Sequence, residues 1–596
     1  MQSAETVLSI LHARGKRGLP LTQLYRQLYN PQLYLLAYGR LYANDGAMTP
    51  GVTGETVDGM ALETISRIID ALRCERLRWT PVKRVYIPKK NGQRRPLGLP
   101  TWSNELVQEV IRLLLEAYYD VQFSDHSHGF RPNRGCHTAL QAVVQVWKGT
   151  HWLVEGDISQ CFERLDHDLL VRIVGEKVHD NRFLRLLQNM LKAGYLEDWR
   201  WHATLSGSPQ GGVCSPILSN LYLDRLDQFV ETALLPRYNR GKRRRPNPAY
   251  QHIEFAIARA KRHGDRQLLH ALRKQRRAVP SQDPYDQDFR RLRYVRYADD
   301  FLLGFSGPKA EAEDIKRHIG EFLHHTLKLE LSEAKTLITH AQTGVAHFLG
   351  YDLVTQHAND KLDWRGQRQV NGMIGLRVPE AVIAKKCSLD MRNGKPAQRP
   401  QMLHDSDYTM VSRYQAEYRG LVQYYLLAQN VFRLGKLHWV MQTSLLKTLA
   451  GKHRSSVQKM ARTYKATTET PAGPRRCIRV MVTRSDGKKP LVAQFGGIPL
   501  KRQRTAILVD KTPTVYTARQ NEVVRRLLAG GCELCGGSGT VEVHHLRTLA
   551  DLRQPGRREK PKWMQLMAMR RRKTLVVCRR CHEAIHAGRG TVALRR

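Results

Sequence analysis

The run LRYVRYADDFLLGF, residues 292–305, imposes the hardest folding constraint in this chain. Its aromatic and aliphatic residues suit β-strands, yet it holds two adjacent carboxylates, Asp299 and Asp300. Charged groups inside an apolar sheet are costly unless they are paired or bind metal. The conflict is resolved if Tyr297-Ala298-Asp299-Asp300 turns a hairpin, so that both carboxylates stand at its tip and can hold divalent cations. A second apolar, strand-like run, residues 151–158 (HWLVEGDI), carries another acid, Asp157. Two-metal phosphoryl transfer needs carboxylates from two separate elements. They hold two ions about 3.5–4 Å apart, one activating the attacking hydroxyl and one neutralising the leaving group. Asp157, Asp299 and Asp300 form such a set, with Mg2+ as the expected ion.

A chain of 596 residues exceeds one hydrophobic core, and 41% hydrophobic residues suffice for several. The formal net charge of +43 far exceeds what solubility requires and implies a polyanionic partner, nucleic acid above all. No run of about 18 apolar residues is present, so no transmembrane helix is expected. Residues 1–13 lack the basic and apolar segments of a signal peptide, so a cytoplasmic, nucleoid-associated bacterial protein is expected.

The fold class expected is multidomain α+β in four regions. Residues 1–370 mix strands with helices, among them an amphipathic helix over 105–119 (ELVQEVIRLLLEAYY). Residues 237–293 interrupt this region as a basic insertion. It opens on Arg240, Lys242, Arg243, Arg244 and Arg245 and continues as a basic helix over 253–277, suited to a phosphate backbone. Residues 371–470 are helical, with one face of Tyr414, Tyr418, Leu421, Val422, Tyr425 and Leu426. A second face joins Val431, Leu434, Leu437, Val440, Met441, Leu445 and Leu446. Residues 471–527 are basic and irregular, a small DNA-binding module or linker, and residues 528–596 are a separate small domain.

Six of the ten cysteines are scattered: Cys74, Cys136, Cys161, Cys214, Cys387 and Cys477. The other four form two Cys-x-x-Cys pairs, Cys532/Cys535 and Cys578/Cys581, a spacing that offers four thiolates to one tetrahedral Zn2+. Between the pairs lies Val543-His544-His545-Leu546. After them His582 and His586 sit four residues apart, on one face of a helix.

The first two thirds of the chain resemble the group II intron-encoded reverse transcriptases. The matching stretches run in order: Pro50-Gly51-Val52 through Asp58-Gly59, residues 85–100 (VYIPKKNGQRRPLGLP), Gly129-Phe130-Arg131-Pro132, and residues 156–166. They continue through residues 207–220 (GSPQGGVCSPILSN), Tyr297 to Asp300, residues 331–336 (LSEAKT) and Phe348-Leu349-Gly350-Tyr351. The resemblance implies right-hand polymerase fingers and palm, with a helical thumb or maturase domain over residues 371–470. It implies that Lys89 and Arg95 reach an incoming triphosphate from a fingertip, where charge-assisted contacts to phosphate are expected. It makes Phe162 a gate against the ribose 2′-OH, Gln210 part of the nucleotide pocket, and Lys335 a further group near the triphosphate.

The C-terminal region resembles the ββα-metal, or HNH, nucleases. By that resemblance His545 is the general base, and His544, His582 and His586 hold a divalent ion on the scissile phosphate. The Asn that orients the base in many such sites falls near Lys573 or Thr574 here, and neither supplies its amide. A zinc module that binds DNA without cutting it is therefore the rival for this region.

The family reading implies an RNA-directed DNA polymerase that copies intron RNA by target-primed reverse transcription, assists splicing as a maturase, and nicks the second DNA strand. Its partners would be intron RNA, target DNA, primer–template and dNTPs, with no membrane, and the oligomeric state is left open. The alternatives are a splicing cofactor with little or no catalysis, or a reverse transcriptase of a defence-type system.

Overall fold

A computed structural model describes residues 2–44, 46–88, 92, 94–197, 200–202, 212–283, 286–358, 361, 364, 370–483, 490–508, 521–552 and 560–588. The architecture is mixed α/β and multidomain. Among the described residues, no helix is long and apolar enough to cross a membrane.

At the centre lies a four-stranded antiparallel sheet. Its order is Arg291–Tyr297, Asp300–Ser306, Trp152–Asp157, Leu337–His340. The first two strands are the expected hairpin, with Tyr297 opposite Asp300 and only Ala298 and Asp299 between them. Leu292, Tyr294, Phe301, Leu303 and Phe305 are buried in one core; Val295 and Leu302 enter a second core on the opposite face. This is the period-two burial that strands impose. Gly156 lies opposite Phe301, and a Cβ at that position would come within 2.1 Å of the Phe301 ring. Only glycine fits there, directly before Asp157.

Helix Trp102–Tyr119 backs the first core and starts three residues earlier than the apolar pattern indicated. Helix Ser215–Phe229 packs in the same core. Strands Val82–Pro88 and Arg94–Leu99 pair as a hairpin apart from the acidic sheet.

The insertion differs from its expected single helix. It is a hairpin of two helices, Pro248–Arg262 and Arg266–Ala278, broken at Gly264 (φ 70°). The Asp265 side chain accepts the Leu268 backbone N–H, which satisfies one of the free donors at the start of the second helix and makes the break a proper helix start. Bridges between Arg240 and Arg290 and between Pro246 and Gln282 close its base.

Helices Asp407–Tyr424 and Gly435–Lys452 build a second core, in which Tyr414, Tyr418 and Tyr425 are buried. The stretch beyond residue 470 departs from its irregular expectation. Strands Arg475–Val482 and Leu491–Gly496 pair with each other, and the first also with Lys465–Thr468. Ile478, Val480, Ala493 and Phe495 enter the core of the two helices. Arg475 and Arg476, at the start of the first of these strands, are exposed.

Near the C-terminus, strands Val541–His545 and Thr574–Cys578 and helix Arg579–His586 form a ββα unit. Its outer strand edge is covered by Met60–Ala61, in register with Val543 and Glu542. Val523, Val524, Leu527, Val541, Val543 and Val576 are buried together with the N-terminal helices.

Candidate active sites and metal centres

The acids at the hairpin tip meet the acid of the neighbouring strand. Asp157 is the direct cross-strand partner of Asp300, and Asp299 occupies the turn. Burial pushes the Asp300 carboxyl up to about 7, and the charges of Asp299 and Asp157 push the same way. Asp299 is raised as well, by burial first. Two carboxyls raised by burial, Asp299 and Asp300, beside the acid of the neighbouring strand make a site suited to added positive charge. The Lys335 ammonium supplies one such charge, donating to Asp157 Oδ2 at 2.7 Å.

Sequence reasoning missed what holds the tip. Ala298 adopts φ 56°, a left-handed conformation that costs a non-glycine residue about 1–2 kcal/mol. Arg296, fully buried, donates to the Ala298 carbonyl at 2.8 Å and to Ser127 Oγ at 2.9 Å. Its guanidinium is paired with Asp227, also fully buried, at 2.8 and 2.5 Å; Asp227 in turn accepts the Tyr294 hydroxyl at 2.8 Å. Gly129 closes the arrangement, since a Cβ there would lie 2.3 Å from the Ala298 backbone nitrogen. Asn220, which ends the 207–220 motif, donates to the Gly129 carbonyl at 2.9 Å. The only sequence signal for this support was the position of these residues within the motifs.

Phe162, on the short helix Cys161–Arg164, stands edge-on to Phe130 with ring centroids 6.3 Å apart. Arg95 is an exposed residue of strand Arg94–Leu99, opposite Ile87. Lys89 and Gln210 lie outside the described residues.

Two further clusters occupy the C-terminal unit. The sulfurs of Cys532, Cys535, Cys578 and Cys581 all lie within 4.8 Å of one another, and Cys535 and Cys578 are 3.8 Å apart. About 3.8 Å is the edge of a tetrahedron with Zn–S bonds near 2.3 Å, so the donor set fits the ion the spacing suggested. The second cluster joins His544, His582 and His586 to Asp58, again with donor atoms within 4.8 Å. Asp58 Oδ2 is 2.8 Å from His586 Nε2, and Asp58 Oδ1 is 3.4 Å from His582 Nε2 and 3.3 Å from His544 Nδ1. His544 Nε2 is buried without a hydrogen-bond partner, and Nδ1 faces the Asp58 carboxylate at 3.3 Å, so the ring lacks the ordinary partners of a buried imidazole. The other nitrogen of His582 is 2.7 Å from Glu542 Oε2, the carboxylate–imidazole arrangement that orients metal-binding histidines. Burial raises the Asp58 carboxyl, but the imidazoles of His544 and His582 and the backbone N–H of His545 outweigh it and hold the group well below the ordinary carboxylate range.

His545 does not join this cluster. Alternation along the strand turns it the other way, between the rings of Tyr38 and Tyr42, and its Nε2 is 3.3 Å from the Tyr38 hydroxyl. Its Nδ1 is 3.2 Å from the Val543 carbonyl, a contact able to orient the ring without the missing amide. Burial pushes its imidazole down to about 4, so it is neutral at pH 7. Thr574, opposite His545, is engaged by Arg526 at 2.6 Å.

A sheet edge bearing three neighbouring acids and a ββα unit with two sets of metal-ligating side chains fit an enzyme with two distinct metal-dependent centres. Family comparisons resolve which. Residues 87–256 match the reverse transcriptase (RNA-dependent DNA polymerase) family, 378–469 the type II intron maturase family, and 532–582 the AI2M/AI1M-like HNH endonuclease family. The group II intron-encoded protein LtrA of Lactococcus lactis subsp. cremoris is 36% identical over 585 residues, 95% of each chain. A 91 kDa protein in the cob intron of Schizosaccharomyces pombe is 32% identical over 99% of this chain and 73% of its own. A putative COX1/OXI3 intron 2 protein of Saccharomyces cerevisiae is 29% identical over 95% of this chain and 66% of its own. The chain belongs to the group II intron-encoded proteins, reverse transcriptases and maturases that carry an HNH endonuclease domain.

Proposed function

We propose that the three acids of the central sheet are the polymerase centre, and that the chain copies intron RNA from a nicked DNA target. The observation that carries this is the cross-strand pairing of Asp157 with Asp300, with Asp299 at the adjoining turn. In this reading residues 1–370 are fingers and palm, interrupted by the basic insertion 237–293. Residues 371–470 are the thumb, 471–527 a DNA-binding module or linker whose strands Arg475–Val482 and Leu491–Gly496 pack on the thumb helices, and 528–596 the nuclease domain.

Bound Mg2+ would supply Lewis acidity at the attacking 3′-hydroxyl and at the leaving pyrophosphate. Asp157, Asp299 and Asp300 would hold it, and their mutual repulsion favours its capture. Lys335, which donates to Asp157, would stand beside the triphosphate. By the family resemblance Arg95 and Lys89 contact the triphosphate. The Phe162 ring, braced edge-on by Phe130, crowds the position of a ribose 2′-OH, and Gln210 lines the nucleotide pocket.

In the HNH domain Cys532, Cys535, Cys578 and Cys581 would hold a structural Zn2+. His544, His582 and His586 would hold a divalent ion that polarises the scissile phosphate. His545, neutral at pH 7, is the base for the attacking water. Intron RNA, target DNA and primer–template are the partners the +43 charge serves.

Primer extension on an RNA template with Mg2+ and dNTPs tests the polymerase centre. The natural chain is expected to make cDNA, and the Asp299→Ala/Asp300→Ala variant none, with RNA binding retained. Synthesis by the double variant would refute the assignment. Absence of synthesis by either, with RNA bound, would favour a splicing cofactor.

A further inference from the structure

Asp58 reaches the nuclease histidines from the opposite end of the chain. It lies in the turn, closed by Gly59 (φ 78°), directly before strand Met60–Ala61, which adds itself to the edge of the strand bearing His544 and His545. The fit is tight on three counts. The His545 backbone N–H donates to Asp58 Oδ1 at 2.6 Å, the Gly59 N–H donates to the Val543 carbonyl at 3.0 Å, and the Asp58 carboxylate faces all three clustered imidazoles.

A catalytic metal site keeps one position open, to receive water or substrate. Three imidazoles from the HNH domain leave one tetrahedral position, the one a scissile phosphate would need. The Asp58 carboxylate, with an oxygen within 4.8 Å of all three ring donors, is placed to take it. The base is covered in the same docking, since the Tyr38 hydroxyl faces His545 Nε2, the atom that would take a proton from water. A phosphate and a carboxylate are both anionic oxygen donors, so one can replace the other at a cation with little loss.

We propose that Asp58 is the fourth ligand of the HNH domain's divalent ion, and that this contact, made by the N-terminal region, keeps the nuclease closed until target DNA displaces it. The proposal rests on the reading of His544, His582 and His586 as ligands. It gives the chain a means of carrying a nuclease on an RNA-bound polymerase without nicking every duplex it meets. The lock is one carboxylate, so it can leave the ion while Met60, buried in the core beside Val543, stays packed.

The test uses the zinc-loaded full-length chain, so that the four thiolates are occupied, with Mg2+ present in excess. Co2+ is titrated in and read by visible absorption, which is intense for a four-coordinate centre of imidazoles and one carboxylate and weak for an all-oxygen octahedral one. Asp58→Ala is expected to weaken Co2+ binding at least tenfold. Asp58→Asn keeps an oxygen for the His545 N–H, and hence the docking, yet is expected to weaken binding as well. On a supercoiled plasmid without the intron target, Asp58→Ala is expected to nick at least ten times faster than the natural chain. Unchanged Co2+ affinity in both Asp58 variants, with binding abolished by His582→Ala, would overturn the ligand assignment and leave the histidine site standing. Unchanged affinity in His582→Ala too would remove the histidine site itself. Weakened Co2+ binding together with slower nicking would overturn the closure, making Asp58 a ligand that cutting requires.

Discussion

Asp300 concentrates the energetics of the polymerase centre in one side chain. Its carboxyl is raised from the ordinary value to about 7 by burial and by Asp299 and Asp157. A carboxyl whose folded pKa lies above its unfolded one binds more protons in the folded state, so its stabilising contribution is complete below about pH 4 and is lost as pH rises through about 7. The metal-free chain should therefore lose stability across that window, and Mg2+ should stabilise it most above it. Asp300→Asn should abolish synthesis yet stabilise the metal-free chain at pH 8 by about 1–3 kcal/mol. Thermal unfolding at pH 5 and pH 8, with and without Mg2+, checks this; equal melting of variant and natural chain at pH 8 would contradict it. Gly129 makes the complementary case, since a methyl group there meets backbone rather than a mobile side chain. Gly129→Ala should shift the hairpin tip and reduce primer extension at least 100-fold, while costing only about 1–3 kcal/mol of stability. Near-normal extension would mean that the tip tolerates movement. The acids themselves were legible in the sequence, because carboxylates in an apolar β run contradict burial wherever they occur. Asp227 and Asp58 were not. Each is an ordinary acid in its local sequence and acquires meaning from a partner far along the chain, His545 in the case of Asp58, 487 positions away.

Secondary-structure elements were legible wherever apolar periodicity outweighed charge. The hairpin around Ala298 and Asp299, the strand leading to Asp157 and the tyrosine-faced helix Asp407–Tyr424 all follow their patterns. Charge concealed the rest: Arg475–Val482 alternates like a strand beneath its arginines, and the insertion's one apparent helix contains a glycine break followed by an Asp cap. The cysteine pairs illustrate a different dependence. Cys532 and Cys535 belong to a turn, while Cys578 and Cys581 flank the start of helix Arg579–His586, the helix that carries His582 and His586. The four thiolates thus fix the strand–helix corner behind the nuclease histidines. Cys578→Ser should release the zinc and loosen that corner, abolishing nicking while leaving primer extension within about twofold, since the acidic sheet shares no residue with it. Zinc content by mass spectrometry and the two activities, measured on one preparation, decide this. Equal loss of both activities would mean that the small domain supports the polymerase fold.

At the scale of the molecule, a net charge of +43 has to be distributed over surfaces that meet nucleic acid, and the helical hairpin of the insertion is a strong candidate for one of them. Helix Arg266–Ala278 buries none of its residues, so packing does not explain its sequence. Arg259, Arg262, Arg273 and Lys274 are exposed on the two helices, and Phe255, 74% exposed, is spaced to share a helical face with Arg259 and Arg262. An aromatic ring left in water among arginines is what a base-stacking platform requires, and the cations match the backbone that would run beside it. The two contributions separate by salt. Replacing Arg259, Arg262, Arg273 and Lys274 with Ala should weaken binding of intron RNA and lower the slope of log affinity against log salt by about 3, because each lost phosphate contact removes about 0.7–0.9. Phe255→Ala should weaken binding by about 1–3 kcal/mol while leaving the slope unchanged, because stacking releases no counterions. Binding isotherms across a salt series measure both at once. A slope unaltered by the four-residue variant would take the hairpin out of the nucleic-acid surface, and a slope altered by Phe255→Ala would mean that the ring positions the arginines instead of holding a base.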